Sequence, residues 1–273
     1  MELEHSYQTL ALLQEEYKLT KEEIDSYQAN GHLMIRGMIG AEVIRHFRET
    51  IVNLAGKMYQ EDSHLSIREG DKKQGMLVSH LWKRSQFLTH LAFSRRFAKT
   101  AAKLMGVEGV RLYVDYAVFK EPGDKATGWH QDHNHTLIGT DHTTTIWIPL
   151  IDLPEEMGSM GFLSGSQTLT DRIKGDSRHM REAHRKNMEY VHYGAMMQGD
   201  VTFHSGWVLH NANPNETDRV REVYSVTYVE DGVQMLDPGE NKELRETVIG
   251  SAHFPDMQPG DYMQGVHFPL LYS

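Results

Sequence analysis

A short stretch of the sequence, "GWHQDHNH" at residues 128–135, carries three histidines and one aspartate within six positions. Imidazole nitrogens and carboxylate oxygens are common protein ligands of divalent transition metals. Alternate residues of a strand point to the same face, so His130 and Asp132 would project together toward one ion, whereas His133 and His135 form a rival pair. Neither pair can surround a metal alone, and a third ligand must come from a distant strand.

The stretch "HSGWVLHNANP" supplies two candidates for the third ligand, His210 and, six residues earlier, His204. A turn centred in "NPNETD" would place His210 opposite Arg221 on the returning strand, where cross-strand neighbours share a face. An arginine beside a ligand histidine is unfavourable unless an anion lies between it and the metal. Its guanidinium can bind a carboxylate through two parallel N–H···O bonds. We therefore expect His210 as the ligand and Arg221 as a carboxylate clamp.

Two histidines, one carboxylate and open coordination positions are the ligand set of non-haem Fe(II) oxygenases. A cationic arginine nearby indicates a co-substrate with a carboxylate at each end, one chelating the iron and the other reaching Arg221. Each of these residues also has an interpretation without a metal. A single H-x-D pair is usually structural, and Arg219 and Arg221 could be exposed charges on a strand. A cupin-like zinc or manganese isomerase or hydrolase, and a non-catalytic β-sandwich binding protein, stay open.

The elements that must position these residues change character along the chain. The first third is predicted to be helical, from a capping-box start in "LTKEE" and an amphipathic segment "GAEVIRHFRETIVNLAGKMYQ". From residue 110, β-branched and aromatic residues alternate with polar ones between turn residues. Helices followed by mostly antiparallel strands predict one β-sandwich or barrel with helices packed outside. We expect a single domain over residues 1–273, with mostly helical support in 1–108 and the strand-rich core with the metal site in 109–235.

Composition narrows the classes of function. The 273 residues carry a formal net charge of −10 and no cysteine. The negative charge disfavours nucleic-acid and anionic-membrane partners, and the lack of cysteine excludes disulfides, iron–sulfur clusters and thiol nucleophiles. "MELEHSYQTL" lacks the pattern of a signal peptide, and no apolar stretch reaches the roughly 20 residues of a membrane-spanning helix. We expect a cytoplasmic protein whose partner is a small-molecule substrate.

Four stretches resemble the phytanoyl-CoA dioxygenase family of Fe(II)/2-oxoglutarate-dependent oxygenases, over most of the chain. They are "LTKEEIDSYQANGHLMIRGMIGAEV", "FKEPGDKATGWHQD", "TTTIWIPLIDLPEEMGSMGFLSGSQ" and "GDVTFHSGWVLHNANPNETDRVREVYSVTYV". The resemblance implies a mainly β fold with flanking helices, a double-stranded β-helix or cupin-like jelly roll. It also implies Fe(II) bound by His130, Asp132 and His210, with 2-oxoglutarate as co-substrate and O₂ as oxidant.

By the same resemblance, the distal carboxylate of 2-oxoglutarate meets Arg221, Trp147 lines its pocket, and Thr145 supplies a hydroxyl group. The implied reaction is hydroxylation of an unactivated C–H bond, coupled to decarboxylation of 2-oxoglutarate to succinate and CO₂. An aspartate at position 132 favours hydroxylation over halogenation, because halogenating relatives have a small residue there. Desaturation, epoxidation or ring closure by the same iron chemistry stay open.

Three parts of the sequence bear on co-substrate and substrate binding. Ala212 stands where family members often have a serine, two residues after the last ligand histidine, and Asn211 or Ser225 could replace its hydrogen bond. The segments 60–80 and 170–190 are predicted to cover the substrate, and the first of them begins with a polar stretch read as a loop. The second is either a solvated helix face or a mobile lid that would favour a polar or charged substrate.

Overall fold

The computed structural model of the protein describes residues 10–61, 66–69, 72–170, 175–239 and 253–273. Its strands form two antiparallel sheets with helices at the sides, which confirms the predicted mainly β fold class. The strands of the described residues are β1 (His32–Ile35), β2 (Ser66–Glu69), β3 (Lys72–Ser79), β4 (Val110–Lys120), β5 (Thr127–His130), β6 (Thr143–Pro149), β7 (Met160–Leu163), β8 (Tyr190–His192), β9 (Val201–Ser205), β10 (His210–Ala212), β11 (Arg221–Glu230) and β12 (Leu270–Tyr272).

The larger sheet has the strand order β1-β9-β6-β11-β4-β3-β2, and β12 also pairs with β4. The smaller sheet has the order β5-β10-β7-β8. Strands that follow one another in the chain therefore often lie in different sheets, as β9 and β10 do, or β10 and β11. This crossing between sheets brings residues from distant parts of the sequence to one space between them.

The α-helices considered below are α1 (Lys21–Asn30), α2 (Ala41–Glu61), α3 (Leu81–Arg84), α4 (Gln86–Ala92), α5 (Arg95–Met105) and α6 (Gly175–Arg185). Helices α1 to α5 contribute to the hydrophobic core on one face of the larger sheet, whereas α6 packs against β5 of the smaller sheet. α1 begins with the predicted capping box: the Thr20 hydroxyl accepts from the backbone N–H of Glu23 (3.2 Å), and the Glu23 carboxylate accepts from the backbone N–H of Thr20 (2.8 Å). None of the helices in the described ranges is long and apolar enough to cross a membrane.

Successive side chains of β11 point alternately into the hydrophobic core and into the space between the two sheets. Tyr224, Val226 and Tyr228 belong to the hydrophobic core that the helices cover. Arg221 and Ser225, of the opposite parity, face the smaller sheet. The predicted apolar stripe of α2 packs in this same core through its buried residues, which are Val43, Ile44, Phe47, Ile51 and Ala55.

The polar stretch after α2 was expected to be a loop, and its described part is instead a hairpin of β2 and β3. β3 also pairs with β4, with Met76–Ser79 opposite Tyr116–Phe119. The expectation was wrong because backbone hydrogen bonds to an adjacent strand stabilise β-structure that the side-chain pattern does not indicate. Residues 62–65, 70 and 71 lie outside the described part. β1, β2 and β3 thus bring strands from residues 1–108 into the larger sheet, and the single domain stays a prediction.

Candidate metal centre

Three side chains with metal-binding atoms meet where the smaller sheet faces the larger one. His130, the last residue of β5, pairs directly with His210, the first residue of β10. The backbone at Gln131 is extended (φ −121°, ψ 121°), so the Asp132 side chain follows His130 on the same side. Nε2 of His130 and of His210 lie 3.5 and 3.6 Å from Oδ1 of Asp132. The ligand atoms of the three residues all lie within 4.8 Å of one another.

The two imidazoles are oriented by their own chain. Nδ1 of His130 donates to the carbonyl oxygen of Gly128 (2.9 Å), and Nδ1 of His210 donates to the carbonyl oxygen of Val208 (3.0 Å). A hydrogen bond at Nδ1 leaves the lone pair of each ring on Nε2, the atom that faces Asp132. Both rings therefore present a metal-binding nitrogen to the same point.

The protonation states also suit a cation. Burial disfavours charge on Asp132, yet the neighbouring imidazoles of His210, His130 and His204 hold the pKa of its carboxyl well below the usual range. Burial, helped by the nearby His130, lowers the pKa of His210 to about 3. At neutral pH the site thus offers an anionic carboxylate and a neutral imidazole at His210, which are the forms that bind metal ions.

Gln131, between two of the candidate ligands, is fully buried and held from several sides. Its Nε2 donates to the carbonyl oxygens of Leu169 (3.0 Å) and Trp207. Its Oε1 accepts from Nδ2 of Asn134 (3.1 Å) and is hydrogen-bonded to Nδ1 of His179 on α6. These contacts fix the chain between His130 and Asp132, a role that the sequence pattern did not indicate.

The rival pair His133 and His135 does not join the cluster. Both lie in a 3₁₀-helix, Asp132–His135, in which residues two apart no longer share a face. His133 is buried, with Nδ1 3.2 Å from Oγ1 of Thr143 and its ring packed on Trp207. His135 is exposed and lines the mouth of the cavity described below.

His204, the other candidate for the third ligand, takes a different place. It lies on β9 in the larger sheet, and its Nε2 is 3.5 Å from Oδ2 of Asp132, the carboxylate oxygen that faces away from His130 and His210. Its buried Nδ1 has no hydrogen-bond partner among the described residues. His204 therefore contacts the carboxylate on its outer oxygen.

Arg221 is not the cross-strand neighbour of His210, and that expectation was wrong. His210 pairs with His130 and Phe162 in the smaller sheet, whereas Arg221 pairs with Lys120 in the larger one. The residues between β10 and β11 cross from one sheet to the other instead of closing a hairpin. Facing sheets nevertheless bring both side chains to one cavity.

The Arg221 guanidinium is buried, and no carboxylate of the described residues forms an ion pair with it. Its Nη1 donates to the carbonyl oxygen of Gly158 (2.7 Å), and its Cζ lies 5.7 Å from the centre of the Trp147 ring. Its Nε is buried without a hydrogen-bond partner in the described ranges. Burial lowers the pKa of Arg221 to about 10, so the group stays cationic at neutral pH. A buried cation with an unsatisfied donor fits an anionic ligand.

A cavity of about 380 Å³ joins these groups between the two sheets. The site residues predicted from the sequence all line it: His130, Asp132, Thr145, Trp147, His210 and Arg221. Thr145 shares a hydrogen bond of 2.8 Å with the hydroxyl of Thr227. Leu77, within the segment 60–80 that was predicted to cover the substrate, also lines the cavity. Residues that were not predicted line it too, among them Tyr113, Tyr116, Val118 and His253.

Comparison with known proteins decides the family. The sequence pattern of the phytanoyl-CoA dioxygenase (PhyH) family matches residues 27–223. The chain belongs to the phytanoyl-CoA dioxygenase family. The resemblance seen in the sequence is thereby confirmed. A search of curated proteins finds no match to this chain.

Solved structures similar to this family member confirm the jelly-roll fold. The alpha-ketoglutarate-dependent epimerase SnoN from nogalamycin biosynthesis is 24% identical, with 93% of this chain and 98% of that chain covered and a TM-score of 0.78. The carbocyclase SnoK from the same biosynthesis is 25% identical, with 93% and 96% covered and a TM-score of 0.74. EctD from S. alaskensis is 16% identical, with 83% of each chain covered and a TM-score of 0.66.

The position at which a departure from other phytanoyl-CoA dioxygenase family members was expected also lies at the cavity. Ala212 lines it, and so do both candidates for a replacement hydrogen bond, Asn211 and Ser225. Oδ1 of Asn211 is buried and has no hydrogen-bond partner among the described residues. Whether either side chain takes over the role of the serine stays a prediction.

Segment 170–190 was predicted to be either a solvated helix face or a lid. Within its described part, α6 buries His179 and Ala183, and exposes Arg178, Arg181 and Arg185. None of the described residues of this segment lines the cavity. The described part therefore has the arrangement of a solvated face, anchored by its inner side to the chain near the metal centre.

Proposed function

We propose that the chain is an Fe(II)- and 2-oxoglutarate-dependent dioxygenase that hydroxylates an unactivated C–H bond of a small molecule. The observation that carries the proposal is one cavity that holds both the cluster of His130, Asp132 and His210 and the buried cation of Arg221. Two similar folds support it: SnoN in complex with Fe³⁺, alpha ketoglutarate and nogalamycin RO, and EctD with 2-oxoglutarate and 5-hydroxyectoine.

The three cluster residues would hold iron through Nε2 of each histidine and Oδ1 of the aspartate. When bound, iron and 2-oxoglutarate supply O₂-dependent oxidation of a C–H bond, coupled to decarboxylation of 2-oxoglutarate to succinate and CO₂. Arg221 would bind the distal carboxylate of 2-oxoglutarate, with its unsatisfied Nε as a donor. Trp147 packs against the guanidinium and holds it in place.

The outcome of the reaction follows from the position of the substrate. Hydroxylation is favoured because Asp132 occupies the position that is small in halogenating relatives. Oxidative ring closure is the second candidate, supported by the likeness to the carbocyclase SnoK. Mass spectrometry of the product separates the two, since hydroxylation adds an oxygen atom and ring closure removes hydrogen.

Absorption spectroscopy tests the proposal without knowledge of the substrate. Under anaerobic conditions, Fe(II) and 2-oxoglutarate together are expected to give a weak visible charge-transfer band. His130→Ala should abolish the band, whereas His184→Ala, on the exposed side of α6, should retain it. Admission of O₂ should then release succinate from the wild-type protein.

Two results would contradict the proposal. One is the absence of the band in the wild-type protein under conditions in which iron is in excess. The other is tight binding of zinc or manganese with no effect of 2-oxoglutarate, which would favour a cupin-like isomerase or hydrolase.

A further inference from the structure

The two ends of the cavity lie at different positions along β4. Lys120, which pairs with Arg221, marks one end, and Tyr116 lies four residues back along the strand, opposite Ser225. At about 3.3 Å per residue, this places Tyr116 about 13 Å from Lys120 along the sheet, and Tyr113 lies further in the same direction. Tyr113 and Tyr116 thus line the cavity away from the end that Arg221 occupies.

Tyr113 reaches this end through a β-bulge. In the pairing of β4 with β11, Val114 is opposite Thr227 and Leu112 is opposite Tyr228, so Tyr113 is an extra residue without a cross-strand partner. Strict alternation would have turned its side chain toward the helices. Bulges commonly re-aim a side chain beside a functional site, and here the bulge adds a second tyrosine to the cavity lining.

The aromatic rings of these tyrosines contact neighbouring aromatic rings, and their hydroxyl groups have no hydrogen-bond partner among the described residues. Tyr113 stacks on Phe268 with ring centres 6.2 Å apart, and both tyrosines contact the ring of His253, at 5.8 and 6.1 Å. No hydrogen bond from either hydroxyl to a described residue is present, although both rings face the cavity. Both tyrosines line the cavity, so a ligand bound there would supply a hydrogen-bond partner for their hydroxyls.

The described residues at this end of the cavity include no carboxylate, lysine or arginine. Among the described lining residues, Asp132 and Arg221 alone carry a carboxylate or a guanidinium group, and the proposed function already uses both. Burial raises the pKa of Tyr113 and of Tyr116, and burial lowers the pKa of His253 to about 4. A charged group placed here would lose its hydration without an oppositely charged side chain among the described residues that line this end.

We propose that Tyr113, Tyr116 and His253 form the substrate end of the cavity and accept an uncharged ring compound that bears hydroxyl or carbonyl oxygens. The aromatic side chains contact the face of the ring, and the phenol hydroxyls hydrogen-bond to its oxygens. The inference rests on the proposed function for the reacting centre. It narrows the expectation of a polar or charged substrate to an uncharged polar one, and the described arginines of segment 170–190, which are Arg178, Arg181 and Arg185, are exposed.

Two probes with the same ring test the assignment, 1-naphthol and 1-naphthoate. Equilibrium dialysis at pH 7 measures the binding of each probe, with and without Fe(II) and 2-oxoglutarate under anaerobic conditions. We expect 1-naphthol to bind more than about tenfold tighter than 1-naphthoate. Tyr113→Phe and Tyr116→Phe should each weaken 1-naphthol binding about fivefold and leave the charge-transfer band unchanged. Tyr262→Phe, which removes an exposed hydroxyl, should change neither.

A variant that adds a charge to the cavity lining tests the assignment through a gain of binding, which does not depend on the loss of a hydrogen bond. Leu77→Arg adds a cation to the lining and should raise 1-naphthoate affinity at least about tenfold. Equal or tighter binding of 1-naphthoate by the wild-type protein, failure of both probes to bind, or an unchanged preference in Leu77→Arg would each overturn the assignment. A missing charge-transfer band would instead contradict the proposed function, and dialysis would still report on the substrate end.

Discussion

Asp115 and Asp132 lie on opposite sides of the larger sheet, Asp115 on the side that the helices cover and Asp132 on the cavity side. Their surroundings raise the pKa of the Asp115 carboxyl and lower the pKa of the Asp132 carboxyl. Asp115 is fully buried, and its Oδ2 accepts from the hydroxyl of Tyr224 (2.7 Å) and the backbone N–H of Trp82 (3.0 Å). Burial raises its pKa to about 6. At Asp132 the effect of burial is overcome by three imidazoles, and the pKa falls well below its usual range.

The difference shows that its neighbours and its exposure together decide whether a carboxyl stays ionised, since the Asp132 side chain is 37% exposed and Asp115 is fully buried. Asp115 has neutral donors and an Oδ1 without a partner among the described residues, so its charge is poorly compensated. Asp132 faces three rings whose nitrogens point to its two oxygens. We therefore expect loss of Asp132 to impair chemistry and spare the fold, and loss of Asp115 to do the reverse.

The largest effect is expected from Asp132→Ala. Removal of an iron ligand should lower O₂-dependent succinate release by at least about a thousandfold, or about 4 kcal/mol of activation free energy. The melting temperature of the metal-free chain should fall only slightly, because the Asp132 side chain is 37% exposed and lies outside the hydrophobic core. Retained activity, or loss of the folded state, would contradict the contrast between the two aspartates.

Asp115→Asn tests the other side of the comparison through pH. The pKa of Asp115 is about 6 in the folded chain, against an ordinary value of 3.8 in the unfolded chain. Between these values the folded state keeps a proton that the unfolded state releases, so this group lowers stability as pH rises from about 4 to 6. Relative to Asp115→Asn, the free energy of unfolding of the wild type should fall by about 3 kcal/mol across this window. Urea denaturation at a series of pH values measures it, and a flat difference would show that Asp115 is ionised in the folded chain.

Arg221→Met extends the comparison to a buried cation. Loss of the guanidinium should weaken 2-oxoglutarate binding about a hundredfold, because a buried ionic hydrogen-bonded contact is worth about 2 to 3 kcal/mol. Titration of the charge-transfer band measures the affinity, and the band should still form at high 2-oxoglutarate. Arg219→Met is the matched control, since Arg219 is exposed two residues earlier. Equal effects of the two variants would argue against a clamp.

The smallest effect is expected from His204→Ala. His204 contacts the outer oxygen of Asp132, and contacts of this kind usually change metal affinity by about tenfold to a hundredfold. We expect the low end, about tenfold weaker Fe(II) binding, with the charge-transfer band retained at saturating iron. Competition with a metal-sensitive dye measures the affinity. A complete loss of the band would instead make His204 a ligand.

Much of the cluster was predictable because it depends on local rules. Alternation in an extended segment placed His130 and Asp132 on one side, and it also placed Trp147 and Thr145 on the cavity face of β6. His210 was selected for a wrong reason, since its supposed neighbour Arg221 lies in the other sheet. Strand partners in a jelly roll are set by contacts between distant segments, which the turn sequence does not reveal.

Other features could not be read from the sequence at all. Tyr113 belongs to the cavity only because of a bulge, and a bulge is visible only once the register of β4 against β11 is known. Gln131 lies between two candidate ligands in the sequence, and it is buried and hydrogen-bonded to three other segments of the chain. Polar side chains whose partners are backbone carbonyls far along the chain leave no local pattern.

The hydrogen bonds from Nδ1 of His130 and His210 to the carbonyl two residues earlier have a consequence for metal selection. Because both rings are aimed before any ion arrives, loading requires little rearrangement, and a set of two imidazoles and one carboxylate discriminates poorly among divalent ions. Copper, nickel and zinc bind such ligands more strongly than iron does. A preparation of this protein is therefore expected to contain several metals, and its specific activity should scale with its iron content.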